Sequence, residues 1–380
     1  RAVQKLAVEE SRLGIPLVFG FDVIHGYKTI SPIPLAEAAS WNLEAIKRSA
    51  EVAAQEASAA GINWTFAPMV DITRDARWGR VMEGSGEDPL LGSLIAKARI
   101  NGFQGEDLAL PHTIAATAKH FAGYGFAEAG REYNTVDVGT TTLHNVIFPP
   151  FKASIEADVK SIMSAFNVVN GIPATGDRSL LRNILKDQWN FKGVVVSDWD
   201  SVGEMVNHGY AEDGRDAAKK AILAGVDIDM ESYYFVEELA SLVEEGEVDE
   251  DLIDDAATRI LKLKFELGLF EDPYKYLSEE REKETVYSPK FKDDLVDMAK
   301  QSIVLLKNDN NILPLQKSNQ RIAIIGDLAQ DKTSPLGSWR IAADDRTAES
   351  LVKAMQDYVA NNTINYSAGP KLILGETKFV

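Results

Sequence analysis

Short apolar runs alternate with longer stretches of helical periodicity through the first 270 residues of the chain. Six apolar runs predict β-strands, at residues 16–23, 65–72, 115–121, 161–168, 193–199 and 226–230. These runs are short and do not alternate strictly between apolar and polar positions, which is typical of strands buried on both faces. Helical patterns lie between them, at residues 42–60, 89–103, 142–157, 180–189 and 215–224. Asn42 and either Asp177 or Ser179 are the expected helix N-caps.

The regular β-then-α order predicts parallel strands joined by crossover helices. A doubly wound sheet and a (β/α)₈ barrel both fit this order. Residues with reactive side chains fall at or just past the carboxyl ends of several different strands: Asp22, His25, Asp71, Lys119, His120, Asn167 and Asp198. In a barrel these ends converge on one mouth, whereas an open sheet concentrates such residues at one switch point. The placement therefore favours the barrel.

Only six strand–helix units are visible, so a complete eightfold barrel needs two more. Residue 1 is Arg rather than Met and opens inside a charged helical stretch. We therefore expect the sequence to be a fragment that lacks the first barrel units.

The pattern changes after an amphipathic helical stretch at residues 251–270. Residues 271–289 contain proline, tyrosine and a run of charges, and a new unit begins at residues 291–307. Residues 321–326 (RIAIIG) predict a buried strand that ends in glycine. We therefore expect an N-terminally incomplete barrel at 1–270, a linker at 271–290 and the start of a second, C-terminally incomplete α/β domain at 291–380.

Composition narrows the possible functions. The 380 residues include 40 Lys and Arg against 58 Asp and Glu, a net charge of −18. Such an acid excess argues against a nucleic-acid partner, and no apolar run is long enough to span a membrane. The absence of cysteine excludes disulfides, thiolate nucleophiles and cysteine-ligated zinc. The five histidines form no metal-binding pair, and no phosphate-binding glycine loop occurs, so we expect no metal and no cofactor.

The most informative segment is residues 193–199 (GVVVSDW), where a buried strand ends in Asp198 next to Trp199. A carboxylate on rigid backbone beside a flat apolar wall suits nucleophilic attack on the anomeric carbon of a sugar. The alternative is that Asp198 caps a helix that starts at Ser201, which is the commoner meaning of such a motif in isolation.

Lys119 and His120 form a second polar pair, two fixed donors that suit sugar hydroxyls. Neighbouring side chains of a strand point to opposite faces, so both can serve one ligand only where the strand ends or twists. The alternative is that one pairs with a carboxylate and the other is buried and satisfied. Arginines of the loop at 71–88 can hold hydroxyls through their forked donors, although most charges there are expected to brace the loop. At the end of the first strand, His25 is expected to support the site from behind rather than contact a ligand.

Taken together and in this order, these segments resemble glycoside hydrolase family three, in its bacterial periplasmic β-glucosidase branch. The resemblance covers essentially the whole chain. It is carried by residues 21–26 (FDVIHG), 67–71 (APMVD), 77–80 (RWGR), 119–125 (KHFAGYG), 132–134 (EYN), 166–167 (FN) with Gly171, 193–199 (GVVVSDW) and 302–308 (SIVLLKN).

The resemblance implies a retaining β-glucosidase with Asp198 as nucleophile. It implies that four residues hold the terminal sugar by its hydroxyls: Asp22, Arg80, Lys119 and His120. Trp199 would line that subsite, with Met163, Phe166 and Asn167 nearby. The family often has Tyr where Phe166 stands, so a hydroxyl near the nucleophile is absent here. The second domain would be an α/β sandwich.

The acid/base glutamate of the resembling enzymes lies on the second domain. Glu349 and Glu376 do not stand in a matching context, so the acid/base Glu is expected beyond residue 380. The motif that would indicate an N-acetylhexosaminidase is not found, since Ala122 and Tyr124 stand at its positions. The implied substrate is a β-glucoside or gluco-oligosaccharide, and the implied location periplasmic or secreted. Alternatives are a β-xylosidase or exo-β-glucanase of the same family, or a sugar-binding fragment with impaired catalysis.

Overall fold

Six parallel strand positions form the framework of the first part of the chain. The computed structural model describes residues 1–358 and 361–370. Five of these positions are the strands β1 (Gly20–Phe21), β2 (Trp64–Thr65), β3 (Thr117–Phe121), β4 (Ser161–Ser164) and β7 (Val194–Val196), and the sixth is Ile228. The strands β5 (Val168–Val169) and β6 (Ile172–Pro173) form a separate antiparallel pair. β1 pairs in parallel with β2, and β3, β4 and β7 form a parallel sheet in that order. Parallel bridges from Trp64 to Ala115 and from Val196 to Ile228 extend this order on both sides.

Helices connect these strands. They are α1 (Ala2–Lys5), α2 (Pro34–Ala39), α3 (Leu43–Ala59), α4 (Pro89–Gln104), α5 (Thr140–Thr142), α6 (Pro149–Glu156), α7 (Glu204–Asn207), α8 (Gly214–Ala224), α9 (Tyr234–Glu244) and α10 (Glu250–Glu266). Wider π-helical turns occupy Leu6–Glu10, Leu143–Ile147 and Ser179–Gln188. Short 3₁₀ turns lie at Val81–Glu83, Tyr124–Phe126, Glu128–Gly130 and Ala174–Gly176. The predicted α/β class is confirmed.

The strands are buried on both faces, as the sequence pattern predicts. On one side Ile162 and Val195 pack with residues of the helices, among them Ile100 and Phe103 of α4. On the other side Met163 and Val196 belong to a separate cluster that includes Trp64 and Leu263. Strands β4 and β7 therefore contribute alternate side chains to two apolar layers.

Predicted strands and helices exist in the structure, but several strands are shorter than predicted. In the run at 193–199 only Val194–Val196 pair, because the chain turns at Asp198, whose carbonyl accepts a hydrogen bond from the Ser201 N–H at 3.0 Å. In the run at 161–168 pairing stops at Ser164, and a separate hairpin of β5 and β6 turns at Asn170 and Gly171, which both have positive φ. Strand ends that carry polar residues leave the hydrogen-bond ladder and enter loops.

The expected helix caps are found. The Asn42 side chain accepts a hydrogen bond from the Ala45 N–H at 3.1 Å. Of the two alternatives at the later helix, Asp177 is the residue whose carboxylate accepts, from Ser179 N–H at 2.8 Å and Leu180 N–H at 3.2 Å.

The segment predicted as a linker contains regular structure. Its charged run forms α11 (Glu279–Thr285), because Ser278 caps the helix and acidic side chains occupy the first turn. The Ser278 N–H also donates to the Ala59 carbonyl at 3.1 Å, which attaches this segment to the end of α3.

The last part of the chain begins with α12 (Pro289–Gln301) and continues with β8 (Ser318–Ile325), α13 (Leu351–Tyr358) and β9 (Asn361–Ser367). Short 3₁₀ turns lie at Asp309–Asn311, Asp327–Gln330 and Ser334–Leu336. β8 pairs in parallel with β9, as expected of an α/β unit. Through the described residues, no helix combines the length and apolar character needed to cross a bilayer.

Candidate active site

The carboxyl ends of the strands surround a pocket of about 1030 Å³. Seven of the nine predicted site residues line it: Asp22, Arg80, Lys119, Met163, Phe166, Asp198 and Trp199. His120 lies directly behind the wall, with Nε2 3.5 Å from Asp198 Oδ2. Asn167 is fully buried, and its amide donates to the Ala122 carbonyl at 3.3 Å. Of the nine residues predicted from the sequence, the structure therefore brings eight to or against one pocket and buries Asn167 behind it.

Asp198 follows β7 and presents its carboxylate to this pocket. Oδ1 accepts a hydrogen bond from the Trp199 N–H at 2.7 Å, so the residue does not cap the helix that was the alternative reading of this motif. Only 11% of the side chain is exposed, and Oδ2 has no hydrogen-bond partner. Burial raises the pKa of Asp198 to about 6, while the nearby Lys119 and Arg80 act in the opposite sense. One carboxylate oxygen is thus held by the backbone, and the other is buried without a hydrogen-bond partner.

His120 is held between a carboxylate and a guanidinium. Its Nδ1 lies 2.8 Å from Asp71 Oδ2, and its Nε2 lies 2.9 Å from Arg80 Nη2. Arg80 can only donate, so Nε2 accepts and Nδ1 carries the hydrogen that Asp71 accepts. Burial, followed by the charges of Arg80 and Lys119, holds the pKa of His120 well below its usual value. His120 is therefore a neutral imidazole in a fixed orientation.

Asp71 completes this arrangement from a position with no access to solvent. Its Oδ2 also accepts from the His120 backbone N–H at 2.8 Å. Burial raises the pKa of Asp71 to about 7, and hydrogen bonding and Arg80 oppose the rise. Asp71 supports His120 and does not line the pocket.

Lys119 and Asp22 form a polar pair inside the pocket. Lys119 Nζ lies 2.9 Å from Asp22 Oδ1, and 3% of the lysine side chain is exposed against 25% of the aspartate. The peptide bond between Lys119 and His120 is cis, and both side chains approach Asp198 from the same end of β3. The structure matches the alternative given for this pair, since Lys119 pairs with a carboxylate and His120 is buried with both ring nitrogens bonded. Lys119 nevertheless also lines the pocket.

Arg80 is fixed by a two-point contact with Glu83. The Nε–Oε1 and Nη2–Oε2 distances are 2.7 and 3.0 Å, and Glu83 is buried. In the same loop Arg77 pairs with Asp75 at 2.6 Å but is exposed. The loop therefore uses one arginine in the pocket and another at the surface, as the sequence led us to expect.

Aromatic rings form the remaining walls. Phe166 packs edge-on against Tyr133, with ring centroids 4.8 Å apart, and both line the pocket. Trp199 is 62% exposed at the mouth. Trp339, from the last part of the chain, lies opposite, 5.3 Å from Lys119 Nζ and 5.6 Å from Arg80 Cζ.

Sequence reasoning missed Tyr133, Trp339 and Glu204 as pocket residues. Glu204 lies six residues after Asp198, at the start of α7, and its Oε2 is buried without a hydrogen-bond partner. Burial, together with the charges of Asp200 and Asp198, raises the pKa of Glu204 to about 7. Its spacing from Asp198 was a usable signal, whereas Trp339 lies far away in sequence and only tertiary structure brings it near.

Neither of the two glutamates considered for the acid/base role in the sequence analysis is seen in this pocket. Glu349 pairs with Lys332 at 3.4 Å and does not line the pocket around Asp198. Glu376 lies outside the described residues. Within the described parts of the chain, no group of three or more His, Asp or Glu side chains is placed to hold a metal ion.

Comparison with known families covers both parts of the chain. Residues 1–263 match the glycosyl hydrolase family 3 N terminal domain, and residues 303–372 match the glycosyl hydrolase family 3 C-terminal domain. A periplasmic beta-glucosidase of Salmonella typhimurium is 40% identical over 377 residues, which cover 98% of this chain and 49% of that protein. A putative beta-xylosidase of Formosa agariphila is 36% identical over 88% of this chain and 45% of its own length.

Solved structures give the same picture. A beta-glucosidase from Listeria innocua in complex with glucose superposes with a TM-score of 0.93 at 41% identity, covering 98% of this chain and 51% of that one. A mutant of that enzyme in complex with laminaribiose gives a TM-score of 0.94, with 52% of its chain covered. The chain spans about half the length of the relatives it matches.

Proposed function

The chain belongs to glycoside hydrolase family 3, and we propose that it forms the nucleophile-bearing part of a retaining β-glucosidase. The observation that carries the proposal is the Asp198 carboxylate, which is oriented by the Trp199 N–H at 2.7 Å and lies in the wall of a pocket that Lys119 and Arg80 also line. Relatives that are named β-glucosidases support the choice of substrate.

In this mechanism the Asp198 carboxylate attacks the anomeric carbon while the bond to the leaving oxygen breaks. The leaving oxygen takes a proton from a glutamic acid that we expect beyond residue 380. Water then attacks the glycosyl–Asp198 ester, gives up a proton to the same glutamate and releases glucose with its configuration retained. The pKa of Asp198, at about 6, leaves the nucleophile ionised at neutral pH.

The residues around Asp198 have the chemistry to hold the terminal glucose. Asp22 accepts hydrogen bonds from sugar hydroxyls, and the ammonium of Lys119 donates to them. Arg80 donates through the part of its guanidinium that Glu83 and His120 do not occupy. His120, 3.5 Å from Asp198, completes this group as a neutral ring.

Apolar contacts shape the same subsite. Met163 and Phe166 line the pocket beside Asp198, and Trp199 offers an exposed ring at its mouth. Asn167 lies behind the pocket wall, where its side-chain amide donates a hydrogen bond to the Ala122 carbonyl and braces the end of β3. Alternating apolar and hydroxyl-binding surfaces are what a pyranose ring requires.

The finer architecture belongs to the same proposal. Residues 1–270 form a (β/α)₈ barrel that lacks its first units, residues 271–290 connect, and residues 291–380 begin a second α/β sandwich domain. The parallel order of the six strand positions supports the barrel. The two family matches, at 1–263 and 303–372, support two domains.

Two further candidates share the site. A β-xylosidase or exo-β-glucanase would use the same nucleophile, and one relative named a putative beta-xylosidase is 36% identical to this chain. A sugar-binding fragment with impaired catalysis would bind glucose without turnover. Periplasmic or secreted localisation is proposed from the name of the Salmonella relative.

The test is the Asp198→Ala variant of the full-length protein, assayed on aryl β-glucosides and aryl β-xylosides. We expect a loss of several orders of magnitude, on the order of 10⁴-fold or more, because no other group can form the covalent intermediate. Glu231→Gln, on the same pocket wall, serves as the control and should lose less than about tenfold. Turnover close to wild type in Asp198→Ala would refute the proposal, and glucose binding without turnover in the wild type would favour the sugar-binding candidate.

A further inference from the structure

His25 lies between two backbone carbonyls that belong to different parts of the chain. Its Nδ1 is 2.7 Å from the Ser31 carbonyl oxygen, and its Nε2 is 2.6 Å from the Ser338 carbonyl oxygen. Ser338 is 313 positions further along the sequence, and the His25 side chain is buried. Carbonyl oxygens only accept, so each ring nitrogen bonds its carbonyl when it carries a hydrogen. Through these two contacts the imidazole connects the loop after β1 to the part of the chain that follows α12.

The backbone of the second unit packs closely at this point. Gly337 has φ of +78°, and a Cβ atom there would lie 3.0 Å from Ile33 Cγ2 and 3.7 Å from His25 Cε1. Leu336, just before it, is buried. The 336–338 segment thus packs directly against the loop after β1, and His25 lies at this contact.

The next residue is the one that reaches the sugar pocket. Trp339 places its ring 5.3 Å from Lys119 Nζ and 5.6 Å from Arg80 Cζ, and Ser338 and Trp339 both line the pocket. His25 itself does not line it. A displacement of the Ser338 carbonyl would move Trp339 directly, since the two residues share a peptide bond.

We infer that His25 is a positioning residue, which fixes the Ser338 carbonyl so that Trp339 forms the wall of the pocket beside Lys119 and Arg80. The inference rests on the proposed function for its catalytic consequence. Because His25 acts through Trp339 and not on the reacting atoms, its loss should weaken substrate binding more than it slows the chemical step.

A second contact joins the same two segments and supplies a matched control. Lys28 Nζ lies 3.1 Å from Asp344 Oδ1, with 25% and 60% of the two side chains exposed. Exposed ion pairs of this kind contribute little to stability. Lys28→Met therefore removes a contact between the same segments and leaves the contact between His25 and Ser338 in place.

Two conservative variants separate the two hydrogen bonds of His25. His25→Gln keeps an amide N–H near the position of Nε2, which faces Ser338, whereas His25→Asn keeps one near Nδ1, which faces Ser31. If the bond to Ser338 matters, Gln should rescue and Asn should not. A general packing role would predict similar behaviour of the two.

The kinetic experiment uses the full-length protein with an aryl β-glucoside as substrate and glucose as a competitive inhibitor. For His25→Asn we expect KM to rise about 5- to 10-fold, with kcat changed less than about 3-fold. The His25→Asn/Trp339→Ala double variant should have the same KM as Trp339→Ala alone. The inhibition constant of glucose should rise together with KM in His25→Asn, because Trp339 lies against Lys119 and Arg80. KM should change by less than about 2-fold in His25→Gln and Lys28→Met. Independent, multiplying effects of His25→Asn and Trp339→Ala, or equal losses in Gln and Asn, would overturn the inference.

A readout that does not need activity keeps this test separate from the proposed function. Amide hydrogen exchange of residues 334–342 should be faster in His25→Asn than in wild type, and unchanged in His25→Gln and Lys28→Met. Unchanged exchange in His25→Asn would overturn the inference even in an active enzyme. Absence of glucosidase activity in the wild type, with faster exchange in His25→Asn, would instead count against the proposed function and leave the positioning role supported.

Discussion

The Arg80 guanidinium donates a hydrogen bond to His120, with Nη2 2.9 Å from Nε2. A cation that donates to an imidazole nitrogen keeps that nitrogen unprotonated, so the hydrogen of His120 stays on Nδ1, 2.8 Å from Asp71 Oδ2. This relationship determines what His120 can do. Both ring nitrogens are engaged, so His120 holds Arg80 and Asp71 in place, and it cannot serve as the acid that protonates a leaving group.

We therefore predict that His120 remains neutral, with hydrogen on Nδ1, across the whole range from about pH 5 to pH 8 in which an ordinary histidine titrates. Nitrogen-15 NMR of histidine-labelled protein measures this directly, because the two ring nitrogens differ in shift when one is protonated. The signal is assigned by its disappearance in His120→Asn. An imidazolium signal for His120 in that range would contradict the geometry.

The second prediction concerns the acidic limb of the pH profile. Burial raises the pKa of Asp198 to about 6, so protonation removes the nucleophile as pH falls through that value, and kcat/KM should decline below about pH 6. Lys119 lowers the pKa of Asp198, so Lys119→Met should move the limb to higher pH. Lys97→Met, which removes a half-exposed partner of Glu156, should leave the limb in place. A limb that moves to lower pH in Lys119→Met would contradict this account.

The third prediction compares one substitution at two neighbouring arginines. Arg80→Lys loses the two-point contact with Glu83 and the bond to His120, and should lower kcat/KM by about 10²-fold through misplacement of the subsite. Arg77→Lys also loses a forked contact, with Asp75, but at an exposed position outside the pocket. It should retain activity within about 3-fold of wild type. Equal effects at the two positions would show that the contacts of Arg80 serve only to brace the loop.

The fourth prediction is about stability. Lys186 and Asp227 form a buried pair, 2.5 Å apart, with 2% and 1% of their side chains exposed, and Asp227 also accepts from the Val195 N–H at 2.8 Å. Lys186→Met strands a buried carboxylate and should lower the free energy of unfolding by about 3–5 kcal/mol.

Urea denaturation measures this change, with Lys219→Met as the control, because Lys219 pairs with Glu247 at 2.7 Å but 34% and 40% of the two side chains are exposed. The control should cost less than about 1 kcal/mol. Replacing both members, in Lys186→Met/Asp227→Asn, should recover part of the loss. A cost of Lys186→Met no greater than that of the control would show that the pair is dispensable.

Strand positions and the polar residues that follow them could be predicted from the sequence because both depend on local chemistry. Val194–Val196 is an apolar β-branched run, and the polar residues after it must leave the buried sheet. The same reasoning placed Lys119 and Asp22 at one end of the strands, where they are 2.9 Å apart.

What could not be predicted depends on contacts between distant residues. Nothing in the sequence around Trp339 shows that it lies over Lys119, and the donor–acceptor order of Asp71, His120 and Arg80 needs coordinates. The charged run of α11 looked like a linker because its side chains face solvent, yet Ser278 and the Ala59 carbonyl fix it as a helix. The charged composition of this segment alone does not distinguish a linker from an exposed helix.

The central claim is that Asp198 forms a covalent bond with the substrate sugar. Incubation of the full-length protein with dinitrophenyl 2-deoxy-2-fluoro-β-glucoside, which forms a glycosyl-enzyme readily but hydrolyses it slowly, followed by mass spectrometry of the peptides, tests this claim most directly. The account predicts one fluoroglucosyl group per chain, located on Asp198 by fragmentation of the labelled peptide, which also carries Asp200 and Glu204. It predicts no label in Asp198→Ala. A label on another carboxylate, such as Glu204 or Asp200, or full turnover with no labelled peptide, would contradict it.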